Sequence, residues 1–272
     1  MWQRQCFLFC ELFIAFLEVG VIFTEIDIEM SVKPYGNYGS KKEQVTQMFN
    51  RIAPKYDLLN HLLSFRIDKL WRRRVVGLIK PLRTPDVLDL ATGTGDLAIA
   101  IGRKVKPNVI YGVDISSGML ALAAKKVLKY QLQHKIVLKE GDSENLPFEK
   151  HSFDVVTVAF GVRNFENLQA GLSEMARVLR PGGMVIVLEF SKPSSFPMKQ
   201  LYRLYFTRIL PWWGGLISRD KDAYSYLPAS VLQFPDGEDF DNELVKAGLN
   251  PVRRWKQTFG IATIYVALKP EQ

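Results

Sequence analysis

Short apolar runs and helically patterned stretches take turns along most of this chain. Val87–Ala91 is an apolar run of strand length that stops in a glycine-spaced turn, and Asp96–Lys104 follows with helical spacing. The alternation continues with strand Val109–Asp114 and helix Ser117–Leu128, for which Ser116 is the N-cap candidate. A strand that begins with Ile136–Leu138, strand Asp154–Phe160, helix Leu168–Leu179 and strand Met184–Glu189 come next, with Arg180-Pro-Gly-Gly183 turning the chain before the last of them. Strands alternating with helices imply a parallel sheet covered on both faces. Near the end, Phe240–Ala247 reads as a helix, and Pro251–Thr258 and Ile261–Lys269 as strands that turn at Gly260. That hairpin should add an antiparallel edge strand. The expected class is α/β and Rossmann-like, with a mostly parallel seven-stranded sheet.

The flanks differ from this core. From Lys41, Val45, Met48, Phe49 and Ile52 recur at three and four residues, and Pro54 should end or bend the helix they define. Residues 56–71 read as further short helices, and Tyr56, Asp57, Asn60 and His61 place polar groups close together on them. Residues 41–80 therefore read as a helical lid over whatever the glycine turn binds. An insert, 191–239, interleaves aromatics such as Phe196, Tyr202, Trp212 and Trp213 with Lys199, Arg203, Arg208 and Arg219. It suits a nucleic-acid platform, a membrane-interface surface or a small cap with its own core. Residues 1–29 are apolar, but Glu11 and Glu18 argue against a span and no small-residue cleavage site follows. Met30 opens Met-Ser-Val-Lys-Pro-Tyr, so an over-extended reading frame is the first expectation for 1–29 and a peripheral membrane helix the second. Residues 30–272 then form a single domain.

Composition narrows the classes. The chain has 272 residues, 47% of them hydrophobic, and a net charge of +8. One Arg stands against five acidic residues in the first thirty, so the basic excess belongs to the rest of the chain and suits an anionic partner surface. Cys6 and Cys10 are the only cysteines, and His61, His134 and His151 are scattered. No disulfide framework or metal site is expected, and a cytoplasmic setting is the default.

Chemistry concentrates at Val87-Leu-Asp-Leu-Ala-Thr-Gly-Thr-Gly-Asp96. In open α/β sheets, ligands bind beyond the carboxyl ends of strands. Gly93 and Gly95 permit a tight turn and close ligand approach, and Gly93-x-Gly95-x-x-Ala98 also satisfies the dinucleotide fingerprint. Asp114 ends the second strand, 19 residues after Gly95, where a carboxylate accepts from ribose hydroxyls in either cofactor class. Three features favour S-adenosyl-L-methionine over NAD. Asp89 suits an ammonium better than a pyrophosphate. Asp142 and Ser143 stand where an adenine edge would bind, and the Arg180–Gly183 turn is that of Rossmann-like methyltransferases. A nucleic-acid methyltransferase would share the cofactor, but an Asn/Asp-Pro-Pro-Tyr base pocket is missing after strand four, where Phe160-Gly-Val-Arg163 stands.

These residues resemble the quinone-biosynthesis C-methyltransferases, which methylate demethylmenaquinol or a polyprenyl benzoquinol. Tyr56-Asp-x-x-Asn60-x-x-Leu-Ser64 with Trp71 is similar to one family signature, and Arg177–Ser191 to a second. Phe160-Gly-Val-Arg-Asn164 is a third shared block, and the resemblance covers residues 31–268. Departures are Arg66 at a usual Gly, Asp68 where His is frequent, and Ala159 where some members place a cofactor-contacting Ser. The resemblance implies that Thr94, Asp114, Asp142 and Ser143 contact S-adenosyl-L-methionine, with Asp89, Gly93 and Gly95 completing the cofactor site. It also implies that Tyr56, Arg163 and Asn164 line the quinol side. Arg163 is expected to stabilise a developing quinolate, with water, His61 or Asp57 as proton acceptor. Demethylmenaquinol is the expected acceptor and a polyprenyl benzoquinol the alternative. The insert at 196–221 and Arg72–Arg74 are expected to touch an anionic membrane on its cytoplasmic face. No nucleic-acid partner is expected, and self-association is left open.

Overall fold

Val87, Leu88 and Leu90 in the first strand are fully buried, as are Val155, Val156 and Val158 in the fourth. Near-continuous apolar runs are what a parallel strand needs when both faces are covered. The strands are β1 (Asp86–Leu90), β2 (Val109–Asp114), β3 (Ile136–Glu140), β4 (Phe153–Ala159), β5 (Leu179–Phe190), β6 (Asn250–Gln257) and β7 (Ala262–Leu268). They form one sheet in the order β3-β2-β1-β4-β5-β7-β6. β1 to β5 are parallel to one another. The C-terminal hairpin supplies the reversed strand, β7, which pairs antiparallel with both β5 and β6 and so lies one place inside the edge. The computed structural model describes residues 32–271 apart from 37, 65 and 205–220, and only the backbone at 55, 58–63, 203 and 221–225. The 1–29 extension, Trp212 and Trp213 of the insert, and the side chains of Asn60, His61 and Arg203 lie outside the described residues.

Helices α1 (Lys41–Leu63), α2 (Asp68–Ile79), α3 (Asp96–Lys104), α4 (Ser117–Lys129), α5 (Leu168–Val178), α6 (Met198–Leu204), α7 (Lys221–Gln233) and α8 (Glu238–Lys246) surround the sheet. Alternate side chains point to opposite faces of a strand. Leu88, Leu90, Val156 and Val158 pack on one face with Leu172, Met175 and Phe240 from α5 and α8. Val87, Val155 and Ile186 pack on the other with Trp71, Val75 and Ile79. Those last three belong to α2, so the second half of the expected lid is a core helix. α1 lies over the ligand-binding end of the sheet, where Tyr226 of α7 joins it.

Pro54 falls within α1, and the helix continues through it to Leu63. A proline there forfeits its own N–H bond. Burial of Val45, Met48, Ile52 and Ala53 against Met119 and Tyr226 holds the helix together across that gap. Polar groups also fasten it. Asn50 Oδ1 accepts from Ser116 Oγ at 2.7 Å and from Gly118 N at 2.9 Å, and Ser116 caps α4 by accepting from Met119 N. Lys41 Nζ donates to Phe165 O at 2.7 Å and Arg163 O at 3.0 Å.

Two local features depart from simple strand and turn. β5 includes Arg180–Gly183 as a bulge, because its pairing with β4 jumps from Phe153–Leu179 to Val155–Met184. Arg66 has φ +61°, the left-handed region that glycine enters freely. The residue at the family's usual Gly position therefore keeps the glycine conformation.

Gly161 ends the β4 segment against β1. A Cβ there would stand 2.4 Å from the Cβ of Ala91. Gly161→Ala should therefore push the two strand ends apart, lowering stability by about 1–3 kcal/mol and weakening cofactor binding, as thermal melts and cofactor titration would show.

Candidate active site

The carboxyl ends of β1, β2 and β4 and the overlying α1 enclose a cavity of about 680 Å³, counting its open mouth. Gly93, Asp114, Asp142, Ser143, Tyr56 and Asn164 all line it. Six of the expected site residues thus meet around one cavity, Tyr56 on the lid and five on the sheet-side wall. Asp89, Thr94, Gly95 and Arg163 stand one layer behind it.

The wall is built from the glycine turn. Gly93 has φ +57°, and a Cβ added there would meet no atom within 4 Å. A side chain would enter the space a ligand needs. Asp114 holds the turn in shape: its Oδ2 accepts from Gly93 N at 2.7 Å and its Oδ1 from Ser116 N at 2.8 Å. Burial pushes its carboxyl above the usual range, and the backbone bonds oppose that rise. Each ionised carboxylate oxygen can accept more than one bond, so capacity remains for ribose hydroxyls. Asp142 Oδ1 accepts from Glu144 N at 2.9 Å, while Oδ2 takes Lys42 Nζ at 2.6 Å. Lys42 also reaches Glu144 at 3.2 Å, so a lid lysine closes over the position read as the adenine side. Ala159, at the family's occasional Ser, lines the cavity with a methyl group.

The layer behind is mostly structural. Asp89 is 1% exposed and takes the Thr92 and Thr157 hydroxyls, each at 2.6 Å. Burial pushes its carboxyl up to about 6 despite those bonds. Thr94 Oγ1 donates to Asp57 Oδ1 at 2.5 Å and accepts from Lys126 Nζ at 3.1 Å, with Lys126 also paired to Asp57 and Asp96. Gly95 is the left-handed N-cap of α3, and its Cβ position would lie 3.3 Å from that of Ala123. Its lack of a side chain serves packing against α4.

On the acceptor side, Arg163 stands in the 3-10 turn after β4. Its guanidinium donates to Glu189 Oε1 at 2.7 Å and Phe160 O at 2.6 Å. The arginine side chain is 6% exposed and the glutamate 0%. The Nε–H is buried without an acceptor among the described residues. Asn164 is fixed beside it: Tyr226 Oη donates to Asn164 Oδ1 at 3.2 Å, and one of the two amide N–H groups donates to Phe160 O at 3.5 Å, leaving the other for the cavity. Burial pushes the Tyr226 hydroxyl up to about 12, so it remains a donor at neutral pH. Lys42, Glu189 and Tyr226 escaped the sequence reading. Glu189 left one signal, an acid closing an apolar strand. Tyr226 left none, being 62 residues from Asn164.

A doubly covered parallel sheet with this turn, this acidic strand end and this cavity is the frame of a Rossmann-like enzyme that binds an adenosine cofactor. The model of the ubiE/COQ5 methyltransferase family matches residues 37–269, and the chain belongs to that family. It is 47% identical over 238 residues to the demethylmenaquinone methyltransferase of Bacteroides fragilis, covering 88% of this chain and 97% of that one. It is 48% identical over 230 residues to the ubiquinone/menaquinone biosynthesis C-methyltransferase UbiE of Geobacter sulfurreducens, covering 84% and 90% of the two chains. Among solved structures, an S-adenosyl-L-methionine-dependent methyltransferase from Methanococcus maripaludis shares the fold, with a TM-score of 0.59 at 18% identity over 83% of this chain and 95% of that one. Family membership resolves the turn in favour of the sulfonium cofactor over a dinucleotide.

Asp89 makes a pH-dependent contribution that can be measured. Its folded pKa is raised to about 6 from 3.8, so the stability it lends is complete below 3.8 and lost as pH rises through 6. Asp89→Asn lacks this titration. The variant's Tm relative to wild type should therefore rise between pH 5 and pH 8, each kcal/mol appearing as roughly 2–4 °C. A pH-independent difference would refute a buried, titrating Asp89.

Proposed function

We propose that the enzyme methylates a ring carbon of demethylmenaquinol to give menaquinol. The names of the Bacteroides and Geobacter relatives support this acceptor, and the cavity supplies donors for it. The observation that supports the assignment is the cavity wall after β4: Asn164 lines it, and the buried Arg163–Glu189 pair behind holds its turn in place.

S-adenosyl-L-methionine, when bound, supplies a methyl group activated by its sulfonium. The acceptor carbon becomes nucleophilic when a quinol hydroxyl loses its proton. The new carbon–carbon bond forms as the carbon–sulfur bond breaks, and the ring proton then leaves. Arginine is too basic to take the proton, so the part of Arg163 is to place a positive charge behind the wall that the quinolate faces. Asn164, its amide oriented by Tyr226, donates from the cavity wall, and Tyr56 faces it from the lid. Asp57 does not line the cavity and is engaged by Lys126 and Thr94, so water becomes the proton acceptor in this reading. His61 lies outside the described side chains.

A prenylated acceptor resides in a bilayer. The enzyme accordingly meets an anionic membrane from the cytoplasm as a peripheral protein. Among the described residues, no helix is long and apolar enough to cross a membrane. Arg72 leaves the expected basic patch, because it pairs with Asp68 and lies over the Phe160 ring at 5.5 Å. Arg73 and Arg74 are exposed.

Removing Arg163 outright would strand buried Glu189, at a cost of about 3–5 kcal/mol. Arg163→Lys keeps the charge and removes the fork. Its kcat on demethylmenaquinol should fall about 100-fold or more, with cofactor affinity nearly intact by calorimetric titration. A matching loss of cofactor affinity would refute the acceptor-side assignment.

Tyr226→Phe frees the Asn164 amide to turn. It should cost about tenfold in kcat, the worth of one hydrogen bond. The alkaline shift of the rising limb of the kcat–pH profile should accompany it, since a donor to the quinolate is lost. An unchanged profile would leave Tyr226 a packing residue.

A further inference from the structure

Phe196 and Phe259 are 82% and 75% exposed. Both stand at the end of the sheet that carries the cavity. β7 pairs its first residue, Ala262, with Phe190 at the carboxyl end of β5, which places the Thr258–Gly260 turn at that end. Phe196 follows the same end of β5 in the chain.

The turn is built to hold Phe259 outward. Thr258, Phe259 and Gly260 have φ values of +44°, +56° and +92°, and the first two residues are rare in that region. The turn is braced from behind. Trp71 Nε1 donates to Thr258 Oγ1 at 2.9 Å, Ser191 Oγ to Gly260 O at 2.9 Å, and Arg74 to Gln257 Oε1 at 2.6 Å. Strained backbone persists where its surroundings over-determine it, and such sites are frequently functional. Nothing in water rewards an ordered phenylalanine held in this way.

Exposed bases flank it. Lys256 adjoins the turn, Arg73 and Arg74 come from the bracing helix α2, and Lys199 follows Phe196. Asp236 is paired with Lys192 at 2.9 Å, so that acid does not offset the charge. Leu201 and Leu204 on α6 are 54% and 48% exposed and extend the apolar area.

We propose that this edge seats the enzyme on a bilayer of anionic phospholipid, with Phe259 and Phe196 entering the head-group layer and the bases meeting phosphates. Charge complementarity selects the anionic bilayer, and the position of the edge turns the cavity end of the sheet toward it. The proposal rests on the reading of the acceptor as a membrane-borne quinol, and it adds which surface makes the contact.

The test is flotation of the full chain with vesicles of phosphatidylcholine alone or with about one-third phosphatidylglycerol. Wild type should bind the anionic vesicles, less so as salt rises. F196S/F259S should bind them about tenfold or more weakly, since a buried phenylalanine is worth at least that factor. K199E/K256E should weaken binding in low salt. Both variants should keep wild-type kcat on a short-chain, water-soluble demethylmenaquinol analogue. Equal binding by F196S/F259S and wild type overturns this surface and leaves the acceptor reading intact. Failure of wild type to bind either vesicle, with activity on the soluble analogue retained, overturns membrane seating. Loss of that activity in F196S/F259S makes the phenylalanines structural and overturns the proposal. So does loss of a wild-type dimer by light scattering, which would mark the edge as a contact between two copies.

Discussion

The buried pair of Arg163 and Glu189 joins the ends of two neighbouring strands, and the acceptor side of the cavity depends on it. A buried ion pair adds little net stability, because desolvation offsets attraction, but removing one partner is expensive. Its value here is positional. Glu189 also accepts from its own strand through Phe190 N, and Arg163 also donates to Phe160 O. The turn carrying Asn164 is thereby fixed to the β5 end. Phe160 and Phe190 pack against each other, with ring centroids 4.6 Å apart, and keep water from the pair.

A second clamp serves the cofactor side. Asp114 collects two backbone amides, one from the β1 turn and one from the start of α4. Between the two clamps lies α1. Beside the apolar contacts of Val45 and Phe49, polar ones join it to the cavity rim: Lys41 to the Arg163 turn, Lys42 to Asp142 and Glu144, Asn50 to the α4 N-terminus, and Asp57 to Thr94 and Lys126. Burial, followed by the nearby Arg163 charge, lowers Lys41 to about 8. An ammonium placed there is held by backbone carbonyls, and carboxylates of Glu144 and Glu166 oppose the shift. These bonds and the buried apolar cluster beneath together fasten α1 as the cover of the cavity.

Strand positions were legible because an apolar run of strand length is a local signal. β2 has the expected bounds, and β1 and β4 begin one residue early, while β3 runs two residues further than its apolar pattern. Val137 on β3 is 44% exposed, so the edge position hides less of that strand and weakens its signal. Pro54 does not end the helix, because tertiary burial of α1 outweighs one lost hydrogen bond. The lid was half legible: amphipathic spacing identifies a helix, and α2 differs from α1 only in what it packs against. Asp89 shows the same limit from the other side. Its place in the strand was plain, but Thr92 and Thr157 occupy its oxygens, and only assembled strands bring Thr157 there.

The sequence by itself determined the doubly covered parallel sheet, the glycine turn at its carboxyl end, the acidic residue at the end of β2 and the family of the chain. These rest on spacing within one element or on motifs a few residues long. Tertiary structure decided that Gly93 and Asp114 face the cavity while Asp89 and Thr94 lie behind it. It also decided that Glu189 neutralises Arg163, that Tyr226 orients Asn164, and that Phe259 stands out from a braced turn. Each of those depends on groups far apart in the chain, whose meeting is set by packing of whole elements. The glycine turn could be read before the fold was known; the residues that give it an acceptor side could not.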